Sequence, residues 1–97
     1  MIRMDIMNEK PLERNPLAQQ LRSSNRVVGV KQIRKALMKG TARQVFLARN
    51  ADPDMTEALL ALCKQRDVPC AWFPTMESLG NACGIDVGAA AAAIIIP

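Results

Sequence analysis

The sequence has no histidine and no tyrosine, and its aromatic residues are one tryptophan and two phenylalanines. Missing histidine removes the side chain that most often serves as general acid, general base or metal ligand near neutral pH. No cluster of carboxylates takes its place, although Asp, Glu, Lys and Cys remain available singly. The cysteines, Cys63, Cys70 and Cys83, are odd in number and lack C-x-x-C spacing, so neither a zinc site nor a disulfide framework is expected. They read as small buried hydrophobes in a reducing cytoplasm. Long apolar runs are also missing: the longest, Ala89 to Ile96, falls well short of the roughly 20 residues that a spanning helix needs. The start, MIRMDIMNEKPLERNP, has no apolar stretch of the kind a secretion signal carries. These gaps lead to the expectation of a cytoplasmic chain with no catalytic residues, no metal, no cofactor and no membrane partner.

What is present suffices for one domain, since 97 residues of which 49% are hydrophobic can bury a core of their own. The formal net charge of +4 is spread unevenly. Residues 26–49 carry Arg26, Lys31, Arg34, Lys35, Lys39, Arg43 and Arg49 without one acid, whereas residues 1–25 balance to +1 and residues 50–97 to −4. One sign of charge gathered on part of a domain raises the local potential and marks a surface for a polyanion. The plainer reading is a solvated helix face rich in lysine.

Along the chain, residues 1–10 are polar and Met-rich and read as frayed, while Pro11 to Arg22 suit a short helix. Arg26 to Val28 is a short strand. Gly29 then opens a helix in which Ile33, Ala36 and Leu37 share a face and Gly40 is the stop. Gln44 to Ala48 is a buried strand, and Asp52 before Pro53 is an N-cap with proline in the first turn of a helix reaching about Arg66. Met55, Leu59, Leu62 and Cys63 sit at core spacing in that helix. Val68 to Phe73 is a third strand, in which Trp72 and Phe73 read as core or rim residues rather than base-stacking ones. Thr75 to Cys83 is a helix capped by Thr75 and ended by Gly84. For Ala89 to Ile96, alanine favours helix but the isoleucine triplet favours a strand buried on both faces, and strand is the reading taken. Strands separated by helices of about ten residues give the fold class α/β. The expected architecture is a three-layer α/β/α sandwich with a central, mostly buried, four-stranded mixed sheet formed by residues 26–97, preceded by an N-terminal extension, residues 1–25.

Four segments recur in the order and at about the spacing of one family: Val28-Gly29-Val30-Lys31-Gln32-Ile33-Arg34-Lys35, Ala48-Arg49-Asn50-Ala51-Asp52-Pro53, Leu62-Cys63 with Val68-Pro69, and Leu79-Gly80-Asn81-Ala82-Cys83-Gly84-Ile85. Over about residues 26–97 the chain resembles the L-seven-Ae family of ribosomal and kink-turn RNA-binding proteins, most closely its small bacterial branch. The resemblance implies binding to the kink-turn, an asymmetric internal loop with tandem sheared G·A pairs and a sharp bend. Archaeal and eukaryotic members read Gly-x-Asn-Glu-x-x-Lys in the first segment, whose polar residues read the guanines. Gly29 matches the glycine, Lys31 the asparagine, Gln32 the glutamate and Lys35 the lysine. The Asn-Glu pair is therefore Lys-Gln here: lysine only donates, to guanine O6 or N7, while glutamine still accepts from guanine N–H groups without a carboxylate's charge.

The RNA contacts that the resemblance implies are Gly29, Val30, Lys31, Gln32, Arg34 and Lys35 at the helix start, Asp52 near the RNA, and the loop after the fourth helix. In that loop Ile85, Val87, Gly88, Ala89 and Ala90 would pack against the bend and an extruded nucleotide. Read without the family, the loop's apolar residues are core and Asp52 is only a cap. The partner expected is structured RNA containing a kink-turn, with the ribosome as a possible host and a monomer when free. The alternatives are a protein-interaction scaffold in a ribonucleoprotein without kink-turn selectivity, and a small nucleotide-binding enzyme. Against the last, neither G-x-G-x-x-G nor G-x-x-x-x-G-K-[ST] occurs.

Overall fold

A computed structural model describes Leu21 and residues 25–96. The elements run in the order β1 (Arg26–Val28), α1 (Val30–Lys39), β2 (Ala42–Ala48), α2 (Pro53–Gln65), β3 (Cys70–Phe73), α3 (Met76–Cys83) and β4 (Ala91–Ile95). The strands form one sheet in the order β1-β4-β2-β3, with β4 antiparallel to both neighbours and β2 parallel to β3. Alternation of side chains along the strands divides the core in two. Phe46, Ala48, Phe73, Ala92 and Ile94 face α3, where they meet Leu79 and Cys83. Val45, Leu47, Ala91 and Ala93 face Ile33, Ala36 and Leu37 of α1 and Leu59 and Cys63 of α2. This is the expected α/β/α sandwich with a four-stranded mixed sheet.

The frayed start and most of the Pro11 to Arg22 helix lie outside the described residues. Leu21, which the sequence places in the extension, is helical and fully buried in the cluster on the α3 side. The extension thus contributes to the core.

Alanine's helix propensity loses at β4 to tertiary burial. Ala91, Ala92 and Ala93 lie opposite Leu47, Phe46 and Val45 of β2, and all six are fully buried. An inner strand of small residues leaves room for the large side chains beside it and for helices on both faces. Strand limits differ from the expected ones where a main-chain group is used elsewhere. Asp67 adopts a left-handed φ of 58°, and the Val68 N–H returns to the Cys63 carbonyl at 2.9 Å, so β3 starts only at Cys70. Ala89 likewise donates to the Met76 carbonyl at 2.9 Å rather than to a strand, and β4 starts at Ala91. β2 begins early, at Ala42, because Ala42 pairs with Ile95 across an irregular register step.

Both glycine helix stops are found where expected. Gly40 (φ 76°) ends α1 with the Thr41 N–H on the Ala36 carbonyl at 2.9 Å, and Gly84 (φ 78°) ends α3 with the Ile85 N–H on the Gly80 carbonyl at 3.1 Å. From Gly84 the chain folds back along α3 to reach β4. The backbone of Val87 and Gly88 crosses α3 directly at Gly80, where any Cβ would collide with the Val87 carbonyl.

Candidate nucleic-acid interface

The carboxyl ends of β1, β2 and β3 meet the start of β4 at one end of the sheet: Val28 lies opposite Ala92, Leu47 opposite Ala91, and Ala48 opposite Phe73. Since each helix follows a strand, α1, α2 and α3 all begin at this end, the side on which open α/β sheets place their ligands. Main-chain bonds tie the rim together. The Gly29 N–H donates to the Ala91 carbonyl at 3.1 Å, the Ala48 N–H to the Ala90 carbonyl at 3.0 Å, and the Arg49 N–H to the Phe73 carbonyl at 2.9 Å. Asn50 adds a side-chain link, its Oδ1 accepting from the Met76 N–H at 2.8 Å.

The three helix starts are not equivalent. Asp52 accepts from the Asp54 N–H at 2.9 Å and caps α2, while Thr75 and Ser78 cap α3 reciprocally at 3.0 and 3.2 Å. At α1 the capping residue is Gly29, no side chain caps the helix, and no acid occupies the first turn. The N–H groups of Val30, Lys31 and Gln32 are therefore left for an outside acceptor among the described residues. Lys31 against the positive end of the helix dipole costs about 0.3–1 kcal/mol until an anion answers both. Gly29 is held at φ 106°, a conformation that favours glycine, and a Cβ there would meet nothing within 4 Å. The backbone demands the glycine, and the space outside it is open to an approaching chain.

Ile33, Ala36 and Leu37 turn α1 inward, which leaves Lys31, Gln32, Arg34, Lys35 and Lys39 exposed. Lys31, Arg34, Lys35 and Lys39 form no ion pair among the described residues. Arg26 behaves differently from the rest of the basic segment. It is half-buried and donates from Nη2 to the Cys83 carbonyl at 2.9 Å, closing the carboxyl end of α3 away from the rim. Its guanidinium answers the helix dipole there, at the end of α3 remote from this face.

The structure divides the loop residues of the sequence reading. Ala90 and Gly88 reach the rim, the latter packed against Met76 at the start of α3, and Val87 is 68% exposed. Ala89 is on the rim too, but its side chain is buried, so it offers only backbone. Ile85 lies at the opposite end of α3, half-buried with Arg26, Gly84 and Asp86 around a shallow cavity of about 370 Å³. It is not brought to Gly29. Val30 is half-buried against the α1–α2 core, and Asp52 is exposed on the rim with its carboxylate already engaged as the cap. Sequence reasoning passed over Arg49 and Asn50 as rim residues. The signal was their place immediately after a buried strand, at its carboxyl end.

The cysteines are free, Cys63 and Cys83 buried and Cys70 half-buried. The hydrogen bond with Cys63 and burial push the Cys70 thiol far above its usual range; burial also pushes Cys83 up, with the Arg26 guanidinium partly opposing. Raised thiols are poor nucleophiles at neutral pH. Among the described residues no group of three His, Cys, Asp or Glu side chains is placed to hold a metal ion, and no helix is long and apolar enough to cross a membrane.

An α/β/α domain whose basic, uncapped helix opens at the carboxyl end of the sheet is thus the class of protein defined by fold and site. Residues 14–97 match the Ribosomal protein L7Ae/L30e/S12e/Gadd45 family, and the chain belongs to that family. It is 43% identical over 75 residues to an RNA-binding protein of Geobacillus sp. (strain WCH70), a match spanning 77% of this chain and 92% of that one. RNA-binding protein YbxF of Geobacillus stearothermophilus is 40% identical over the same shares of both chains. Among solved structures, the Giardia lamblia 15.5kD RNA binding protein shares the fold with a TM-score of 0.76 at 24% identity, over 84% of this chain and 72% of that one.

Proposed function

We propose that this protein binds structured RNA at a kink-turn, through the amino-terminal end of α1 and the Gly88 to Ala90 segment beside it, and that its role is binding rather than catalysis. The observation that carries the reading is the start of α1. Three N–H groups and the exposed Lys31, Arg34 and Lys35, all without a partner among the described residues, converge with an open approach at Gly29 on one anion-binding edge, with Gln32 able to donate and accept among them. The relatives named as RNA-binding proteins make RNA the polyanion this edge would meet.

Lys31, Arg34 and Lys35 supply the phosphate contacts, and Gln32 reads a guanine edge. Three phosphate contacts at 0.7–0.9 each contribute about −2 to −3 to the slope of log K against log salt. Lys35→Ala should weaken all RNAs alike and flatten that slope by about one unit, which a titration of a kink-turn RNA at several salt concentrations reads directly. A slope near zero for the wild type would contradict the electrostatic basis of the proposal.

A further inference from the structure

Arg49 leaves β2 on the same rim, and its guanidinium carbon lies 5.5 Å from the centroid of the Trp72 ring. The parallel register makes this pair, because Leu47 is opposite Trp72 and Ala48 opposite Phe73, so the next residue of the β2 chain emerges beside the ring. Its main chain is fixed as well, by the N–H bond to the Phe73 carbonyl at 2.9 Å. Arg49 is exposed, Trp72 is half-buried, and no carboxylate pairs with Arg49 among the described residues. A guanidinium carries five N–H donors, more than one neighbouring ring can engage, so donors remain for an acceptor. Contact with the ring also limits the rotamers of a long side chain, so less freedom is lost when those donors meet an acceptor. The acceptor that a planar, charged fork fits best is a phosphate or carboxylate. From β1, where α1 begins, to β3 is three strand spacings of about 4.8 Å, a span of roughly 14 Å that an RNA lying along the rim crosses.

We infer that Arg49, held in place by Trp72, is a second phosphate-binding point of this rim, gripping the backbone of the RNA whose other contacts are on α1; the inference rests on the RNA-binding reading above. Arg49 is the binding residue and Trp72 a positioning residue acting through it. The interface then extends from the first helix to the edge strand of the sheet, past the capped starts of α2 and α3.

Trp72 is the sole tryptophan of the chain, so its emission reports on this corner alone. The test titrates a kink-turn RNA into the full chain as wild type, Arg49→Ala, Trp72→Leu, the double variant, and Lys35→Ala as a control on α1, reading affinity, salt slope and, where present, Trp72 fluorescence. RNA should change the Trp72 emission of the wild type. Arg49→Ala should lower affinity by about threefold to tenfold and flatten the slope by about 0.7–0.9. Trp72→Leu should weaken binding less and add nothing in the double variant, since its effect passes through Arg49. Trp72→Phe, which keeps a ring under the guanidinium, should restore most of the affinity and serves if the leucine variant fails to fold. Unchanged affinity and slope in Arg49→Ala, while Lys35→Ala flattens the slope, would overturn the inference and leave the α1 reading intact. A strictly additive double variant would remove Trp72's positioning role. A wild type that does not bind the RNA at all would overturn both.

Discussion

Gln32→Ala should weaken binding to a kink-turn RNA by about 1–3 kcal/mol, the range found for base-edge contacts, and leave binding to a plain duplex nearly unchanged. Gln32 is exposed in the first turn of α1, where the neighbouring Lys31 and Lys35 can only donate. Its amide oxygen is the side-chain acceptor on that turn, and guanine N–H groups are what an acceptor reads. No charge is removed by the substitution, so the salt slope should not move. Gln32→Glu keeps an acceptor there, as the carboxylate that the resemblance places at this position in archaeal and eukaryotic members, and should keep the kink-turn preference. Parallel binding curves of the three proteins on bent and straight RNAs decide it. An equal loss on both RNAs would mean that Gln32 is not a reader, and would move selectivity to backbone shape or to the Val87 to Ala90 segment.

Gly80→Ala should destabilise the fold by about 2 kcal/mol net and lower the melting temperature by roughly 8–16 °C. Two effects oppose each other at this site. Alanine in place of glycine in a helix interior gains about 1 kcal/mol by propensity. The added Cβ, however, meets the backbone of Val87 and Gly88, which cannot swing aside as a flexible side chain would. Overpacking of this kind costs about 1–3 kcal/mol and more where backbone must shift, so the clash wins. The same displacement moves the loop that carries Gly88 to Ala90, and RNA affinity should fall with stability. Thermal unfolding by circular dichroism gives the answer; a variant as stable as the wild type would show that the loop does not lie on α3 in solution.

The elements were legible because their punctuation is local. Gly40 and Gly84 stop helices through their own left-handed conformations, and Asp52 and Thr75 cap helices through atoms two and three residues away. The alanine run was readable as strand only through the isoleucines that follow it, since alanine alone points to helix. The resemblance supplied the position of the candidate site, and the charge pattern supplied its sign. Contacts between distant residues were not readable. Arg26 looked like one more cation of the basic segment until strand pairing set it beside the Cys83 carbonyl, 57 residues away. The resemblance put Ile85 in one loop with Ala90, but the chain runs the length of α3 between them, which the sequence does not display. Arg49 and Trp72 meet through the register of β2 on β3, which neither segment encodes alone.

The central claim is that the start of α1 selects a bent RNA rather than merely attracting a polyanion. It is tested most directly by the affinity of the wild-type protein for a kink-turn RNA and for the same strands with the sheared G·A pairs replaced by Watson–Crick pairs, measured at one salt concentration. Both RNAs carry the same number of phosphates, so electrostatic attraction is nearly matched between them. The kink-turn should bind at least tenfold more tightly, and Gln32→Ala should remove most of that ratio. Equal affinity for the two RNAs would contradict the claim and leave the basic helix as a sequence-blind and shape-blind anchor.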